Sequence, residues 1–148
     1  MSRALRMGRD LFARYWWLLA AFLLTRAVWG GMSAAGSGAI VYVSSRSGIE
    51  GFADESAYCA AKHGLEGLMK SLAMEGAPLG IAVNTITPGM YMKTPMSERN
   101  YDEALKAKWV EPALLAPAFV ALAGRRVGRS GERLDAWQLS RSLATTAP

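Results

Sequence analysis

The sequence predicts an α/β fold in which about three parallel strands are flanked by helices. Two short apolar runs, residues 39–44 and 81–86, are bounded by Gly and Pro and have the length of buried strands. Between them lies a helical pattern over 57–75 that stops at Gly76-Ala77-Pro78. Strand, loop, helix, tight turn and strand in that order make a βαβ unit, whose crossover requires parallel pairing.

The remaining elements follow in chain order. The segment from Leu11 to Gly31 reads as a long apolar helix, with Gly30-Gly31 as its stop and Gly36-Ser37-Gly38 as the turn into the first strand. That strand closes on two hydroxyls, Ser44 and Ser45, and Arg46 to Phe52 is a loop. Asp54 and Glu55 precede the 57–75 helix, where carboxylates favour the positive end of the helix dipole. The second strand runs into Pro88-Gly89, followed by the Met-rich stretch Met90 to Met96. Methionines adapt to irregular apolar shapes, in a core or against a nonpolar ligand. Helices are expected over 101–108 and 112–123, the latter kinked or begun by Pro117 and stopped at Gly124. A last strand is expected over 132–137, and residues 141–148 read as a loose tail after a domain spanning 1–140.

One constellation carries chemistry. Tyr58 and Lys62 stand four residues apart in Tyr58-Cys59-Ala60-Ala61-Lys62, and Ser45 precedes Tyr58 by thirteen residues. On a helix, positions i and i+4 share a face, so the phenol and the ammonium point into one cleft. A phenol ordinarily titrates near 10, and a cation held beside it favours the phenolate and brings it toward working pH. Among the five tyrosines only Tyr58 has Lys at +4. The βαβ order brings Ser45 and Tyr58 toward the carboxyl end of the first strand, where open α/β sheets place their ligands.

Ile40-Val-Tyr-Val-Ser-Ser45, Tyr58-Cys-Ala-Ala-Lys62, Gly80-Ile-Ala-Val-Asn84 and Thr87-Pro88-Gly89 together resemble the short-chain dehydrogenase/reductase family, over about residues 11 to 137. The resemblance implies a partial Rossmann-like fold and an NAD- or NADP-dependent oxidoreductase acting on a small-molecule alcohol or ketone. It implies Tyr58 as acid/base, Lys62 as the group that tunes it and holds the nicotinamide ribose, and Ser45 as the residue that orients the carbonyl. By the same resemblance Pro88, Gly89 and Thr94 border the cofactor, although the family usually has that Thr one residue closer to Pro-Gly. It also implies a homo-oligomer built through the 11–28 and 57–75 helices. The family carries an Asn, holding a relay water, where Trp17 stands here; Trp offers one N–H and no acceptor. No G-x-x-x-G-x-G cofactor turn stands near the start of the chain, and neither does the acidic residue that selects the adenine ribose. A complete enzyme of this type has roughly 250 residues. The 148-residue chain therefore reads as a remnant, a truncated gene model or one part of a split protein, and a noncatalytic assembly partner is the alternative function.

Composition narrows the partners. A hydrophobic fraction of 51% over 148 residues suffices for one buried core. Lys and Arg number 17 against 12 acidic residues, with Arg125, Arg126, Arg129 and Arg133 near one end, which suits a solvated rim or one that meets cofactor phosphates. No basic face interleaved with stacking aromatics supports nucleic-acid binding. His63 is the single histidine and no metal-ligand spacing is present. Arg3, Arg6, Arg9 and Arg14 precede an apolar run from Tyr15 to Leu24, which is shorter than the about 20 residues a membrane span needs. The single Cys59 suits a reducing, cytoplasmic setting.

Overall fold

A computed structural model of the chain describes residues 3–124 and 128–145, with the side chains of 18–99, 101–124 and 128–145. A long helix, α1 (Arg3–Ala34), leads into β1 (Gly38–Val43), and a short 3₁₀ turn at Arg46–Gly48 precedes α2 (Ser56–Gly76). Then come β2 (Ile81–Thr87), α3 (Pro95–Asn100), α4 (Glu103–Lys106), α5 (Ala116–Ala123), β3 (Arg133–Asp135) and α6 (Ala136–Thr145). The three strands form one sheet in the order β1-β2-β3, and both pairings are parallel.

Each junction has a local cause. Gly36 closes α1 at φ 59, with its N–H and that of Ser37 bonded back to Ser33 and Met32 carbonyls. Gly80 turns the chain into β2 at φ 70, and a Cβ there would meet the Gly36 carbonyl oxygen at 2.2 Å. Only glycine admits both that conformation and that approach. Alternation along β1 and β2 then divides the core in two. Tyr42, Ile81 and Val83 face α2, where Leu65, Met69, Leu72 and Ala73 are buried against them. Ile86 and Leu134 face the other side, against Leu115, Ala118, Leu122 and Ala136. Two-sided coverage is what a parallel sheet requires.

The structure corrects five expectations. The first helix does not stop at Gly30-Gly31 but continues to Ala34, and the backbone turns only at Gly36. A helix at Pro95–Asn100 precedes the expected 101–108 helix, which shrinks to Glu103–Lys106. Thr94 caps the new helix, accepting from the Ser97 N–H while the Ser97 hydroxyl accepts from the Thr94 N–H, so the turn closes locally. β3 stops at Asp135, and Ala136 and Trp137 begin α6. Residues 141–145 continue α6 instead of forming a loose tail. The reason is tertiary: Ser140 is buried against α5, donating to the Leu115 carbonyl at 3.2 Å and accepting from the Ala118 N–H at 3.2 Å. Proline 117 sits in the first turn of α5 after a 3₁₀ turn at Pro112–Leu115, where its missing N–H costs nothing.

Among the described residues β1 pairs on one side only, with β2. Its Gly38 and Ser44 N–H groups bond the Gly80 and Ile86 carbonyls of the β2 side. The peptide groups of 39, 41 and 43 therefore point to the open edge. Beside that edge Val43 is 51% exposed, and α1 exposes Leu19, Phe22, Leu23 and Leu24. An open apolar edge invites pairing with another chain. Sedimentation velocity on the 148-residue chain is expected to show dimers or larger species. A monodisperse monomer with a cooperative melt would contradict this.

Candidate active site

The site is assembled at the carboxyl ends of the strands. Tyr58 and Lys62 lie on the first two turns of α2, and the i, i+4 spacing holds the Lys62 ammonium 5.6 Å from the centroid of the Tyr58 ring. The Tyr58 side chain is 38% exposed, and its hydroxyl has no hydrogen-bond partner among the described residues. Lys62 Nζ donates to the Val43 carbonyl at 2.8 Å. Burial pushes the Lys62 ammonium below the usual amine range, and Glu66 one turn further along α2 partly offsets this. Tyr58 and Lys62 border a cavity of about 730 Å³ between α1, β1 and α2, whose other lining is apolar apart from the mutually bonded hydroxyls of Thr25 and Tyr42.

Ser45 lies one residue beyond the last β1–β2 bond, in extended backbone at the start of the 3₁₀ turn. Its Oγ accepts the Ser47 N–H at 3.2 Å, and its own proton has only a long partner, Ser47 Oγ at 3.4 Å. That hydroxyl can turn to another oxygen at small cost. Ser47 in turn donates to the Glu55 carboxylate at 3.0 Å, so Glu55 ties the loop to α2 and makes no side-chain cap.

The other expected residues are placed as follows. Gly89 adopts φ 76, and a Cβ there would meet the Asp135 carboxylate at 2.1 Å; the Pro88 carbonyl accepts the Trp137 N–H at 3.2 Å. The Pro88-Gly89 turn is thus fastened to the end of β3. Thr94 serves the α3 cap described above. Trp17 lies on α1, and its side chain falls outside the described residues, as do Arg125 and Arg126. His63 bonds the Cys59 carbonyl of the preceding turn. Among the described residues no group of His, Cys, Asp or Glu is arranged to hold a metal, and no helix is long and apolar enough to cross a membrane.

Three residues not singled out as site residues belong here. Tyr101 stacks edge-on against Tyr91, with centroids 5.6 Å apart. Burial, reinforced by Tyr91, Tyr58 and Glu55, pushes the Tyr101 phenol above its ordinary range. Glu66, 5% exposed, accepts from the Ser44 hydroxyl, from Thr85 Oγ1 at 2.8 Å and from Arg133 Nε at 3.2 Å. Arg133 also donates from Nη2 to the Ser45 carbonyl at 3.0 Å. Arg133 is therefore an inward-facing residue and not part of a solvated rim, unlike Arg129, which pairs with Glu132 at the surface. A charge pair separated by 67 positions leaves no local signal.

Comparison with known proteins gives a consistent picture. The family profile of short chain dehydrogenases matches residues 17–104. The chain is 37% identical to an acetoacetyl-CoA reductase of Allochromatium vinosum over 119 residues, covering 75% of this chain and 48% of the relative. It is 51% identical to a cyclohexanol dehydrogenase of Acinetobacter over 63 residues, covering 43% of the chain and 25% of that enzyme. A crystal structure of a candidate NAD(P)-dependent gluconate 5-dehydrogenase from Beutenbergia cavernae, with NADP bound at low occupancy, superposes with TM-score 0.71 at 30% identity. That match covers 80% of this chain and 53% of the other. The chain thus spans about half the length of the reductase and of this structural neighbour.

Proposed function

The chain belongs to the short-chain dehydrogenase family, and from that premise we propose that it is the catalytic part of an NAD(P)-dependent oxidoreductase interconverting a small secondary alcohol and its ketone. The observation that carries this is the pairing of Tyr58 and Lys62 on one face of α2, where both line a cavity and the phenol hydroxyl has no partner among the described residues.

Tyr58 gives its proton to the carbonyl oxygen in reduction and takes it from the alcohol in oxidation. Ser45 Oγ–H holds the same oxygen, which its weak bond to Ser47 leaves it free to do. Lys62 places positive charge beside the phenol as it gains or loses its proton. The nicotinamide, when bound, accepts or supplies the hydride.

The described residues fit the nicotinamide end of such a cofactor. Lys62 offers a donor at the cavity, and the Pro88-Gly89 turn, whose Gly89 Cβ side is taken by the Asp135 carboxylate, would meet the cofactor with its backbone. Among the described residues the pyrophosphate end finds no equivalent. The glycines with positive φ, at 36, 80, 89, 128 and 131, do not open a helix immediately after a strand, where such a turn presents its N–H groups. Assembly through the exposed face of α1 and the adjoining α2 is part of the same proposal and accords with Leu19, Phe22 and Leu23 standing in solvent.

Calorimetric titration of the 148-residue chain with NAD(H) and NADP(H) is expected to give affinity weaker than micromolar. Joining the chain to the first half of the Allochromatium reductase is expected to restore tight binding and oxidation of cyclohexanol or a 3-hydroxyacyl thioester. Tight cofactor binding without turnover of any alcohol or ketone would overturn the oxidoreductase reading.

A further inference from the structure

We propose that Arg133, anchored by Glu66, is the positioning residue that sets the Ser45 hydroxyl at its working distance from α2. This rests on the function proposed above, in which Ser45 and Tyr58 act on one substrate oxygen. Ser45 has left the β1 ladder, whose last bond to the β2 side is made by Ser44. Its own hydroxyl reaches only Ser47, inside the same turn. The place of that turn relative to Tyr58 is therefore decided by links that cross between elements.

Beside the Ser47–Glu55 and Ser44–Glu66 hydrogen bonds, Arg133 makes the one among the described residues that takes hold of the Ser45 carbonyl from outside the turn. Its guanidinium offers donors in a fixed plane. Nε takes the Glu66 carboxylate at 3.2 Å, and Nη2 takes the Ser45 carbonyl at 3.0 Å, which also accepts the Gly48 N–H at 2.9 Å. Glu66 stands on α2 at the i+8 position from Tyr58 and i+4 from Lys62, so one helical stripe carries all three. Glu66 is itself held from two strands, by Ser44 and by Thr85. One planar group thus spans the helix that bears Tyr58 and the backbone that bears Ser45. The loop has been fitted to this arrangement. A Cβ at Gly48 would come within 2.9 Å of Ser44 Oγ and 3.2 Å of Glu66 Cγ. The alternative, a pair that merely stabilises the fold, would spread its effect over β2, β3 and α2 alike.

Arg133→Lys separates the two, because it keeps a charge beside Glu66 while a single ammonium cannot reproduce the fork. Hydrogen–deuterium exchange of the full chain, read by peptide mass spectrometry, is the first arm. Peptides covering 45–49 are expected to exchange at least about tenfold faster in Arg133→Lys, and those covering 64–76 and 81–87 to keep their wild-type rates. The second arm is steady-state turnover of cyclohexanol by the joined protein. There kcat is expected to fall roughly 10- to 100-fold at unchanged KM, the scale of a displacement of about 1 Å. Unchanged exchange at 45–49, or a uniform rise across all peptides, would overturn the proposal, as would unchanged kcat in an active protein. Should Arg133→Lys be too unstable to study, Arg133→Gln is measured by the same two arms against the same outcomes. If the wild-type protein turns over no alcohol, the function proposed above fails, and the exchange arm still decides whether Arg133 fixes the loop.

Discussion

In the protein joined to the first half of the Allochromatium reductase, Tyr58→Phe is expected to lower turnover by roughly 10²–10⁴-fold, the contribution of a positioned proton donor, while leaving the thermal melt unchanged. The substitution removes one oxygen from a side chain that is 38% exposed and has no hydrogen-bond partner for that oxygen among the described residues. The chemistry therefore loses its proton while the packing loses nothing. Steady-state kinetics and circular dichroism melts on the same preparation check both halves. Turnover within about threefold of wild type would remove Tyr58 from the reaction. Lys62→Met is expected to be similarly severe, with a different signature in stability. Burial lowers the Lys62 amine from its usual 10.5. Between the folded value and 10.5 the unfolded chain binds more protons, so this residue adds stability as pH rises through that interval. The melting temperature of Lys62→Met is expected to lack that alkaline gain relative to wild type. A group that resists burial at neutral pH is retained here beside the phenol, as expected of a functional residue.

Met69→Ala is expected to be the most destabilising single truncation in the α2-side core, by about 2–5 kcal/mol. Met69 has no exposed surface and lies on α2 where Tyr42, Ile81 and Val83 of the sheet meet Leu65 and Leu72. Alanine leaves a void that neighbours on a strand ladder cannot move in to fill, because their backbones are fixed by the parallel pairing. For a chain of this length each kcal/mol lowers the melting temperature by roughly 2–4 °C. Differential scanning calorimetry checks it, with Met74→Ala as the control: Met74 lies five residues along the same helix but is 79% exposed, and its truncation is expected to change little. Equal losses in both variants would show that the two-sided core does not carry the stability assigned to it.

Much of this protein is legible in local sequence. Apolar runs bounded by Gly and Pro located β1 and β2 to within a residue, and 3.6-residue periodicity located α2. The four-residue step from Tyr58 to Lys62 was enough to place both on one helical face. These features depend on nearest neighbours along the chain, through backbone conformation and side-chain direction, and a linear reading captures them. The capping pair Thr94 and Ser97 was equally local, and its hydroxyl spacing marks α3 in retrospect. The last strand and the segment after it were decided elsewhere. Ala136 to Thr145 is helical because Ser140 and Ala136 are buried against α5, and an expected strand reaching residue 137 gave way to that packing. Tertiary structure alone also turned Arg133 inward, since its partners Glu66 and Ser45 lie 67 and 88 positions away. A charge that would be solvated on an isolated strand is paired there because β3 begins opposite Thr85 of β2, on which α2 packs, and this brings Arg133 to Glu66. Residue spacing determined which candidate groups share one face of α2, and the long-range contacts of the folded sheet decided how firmly they are held.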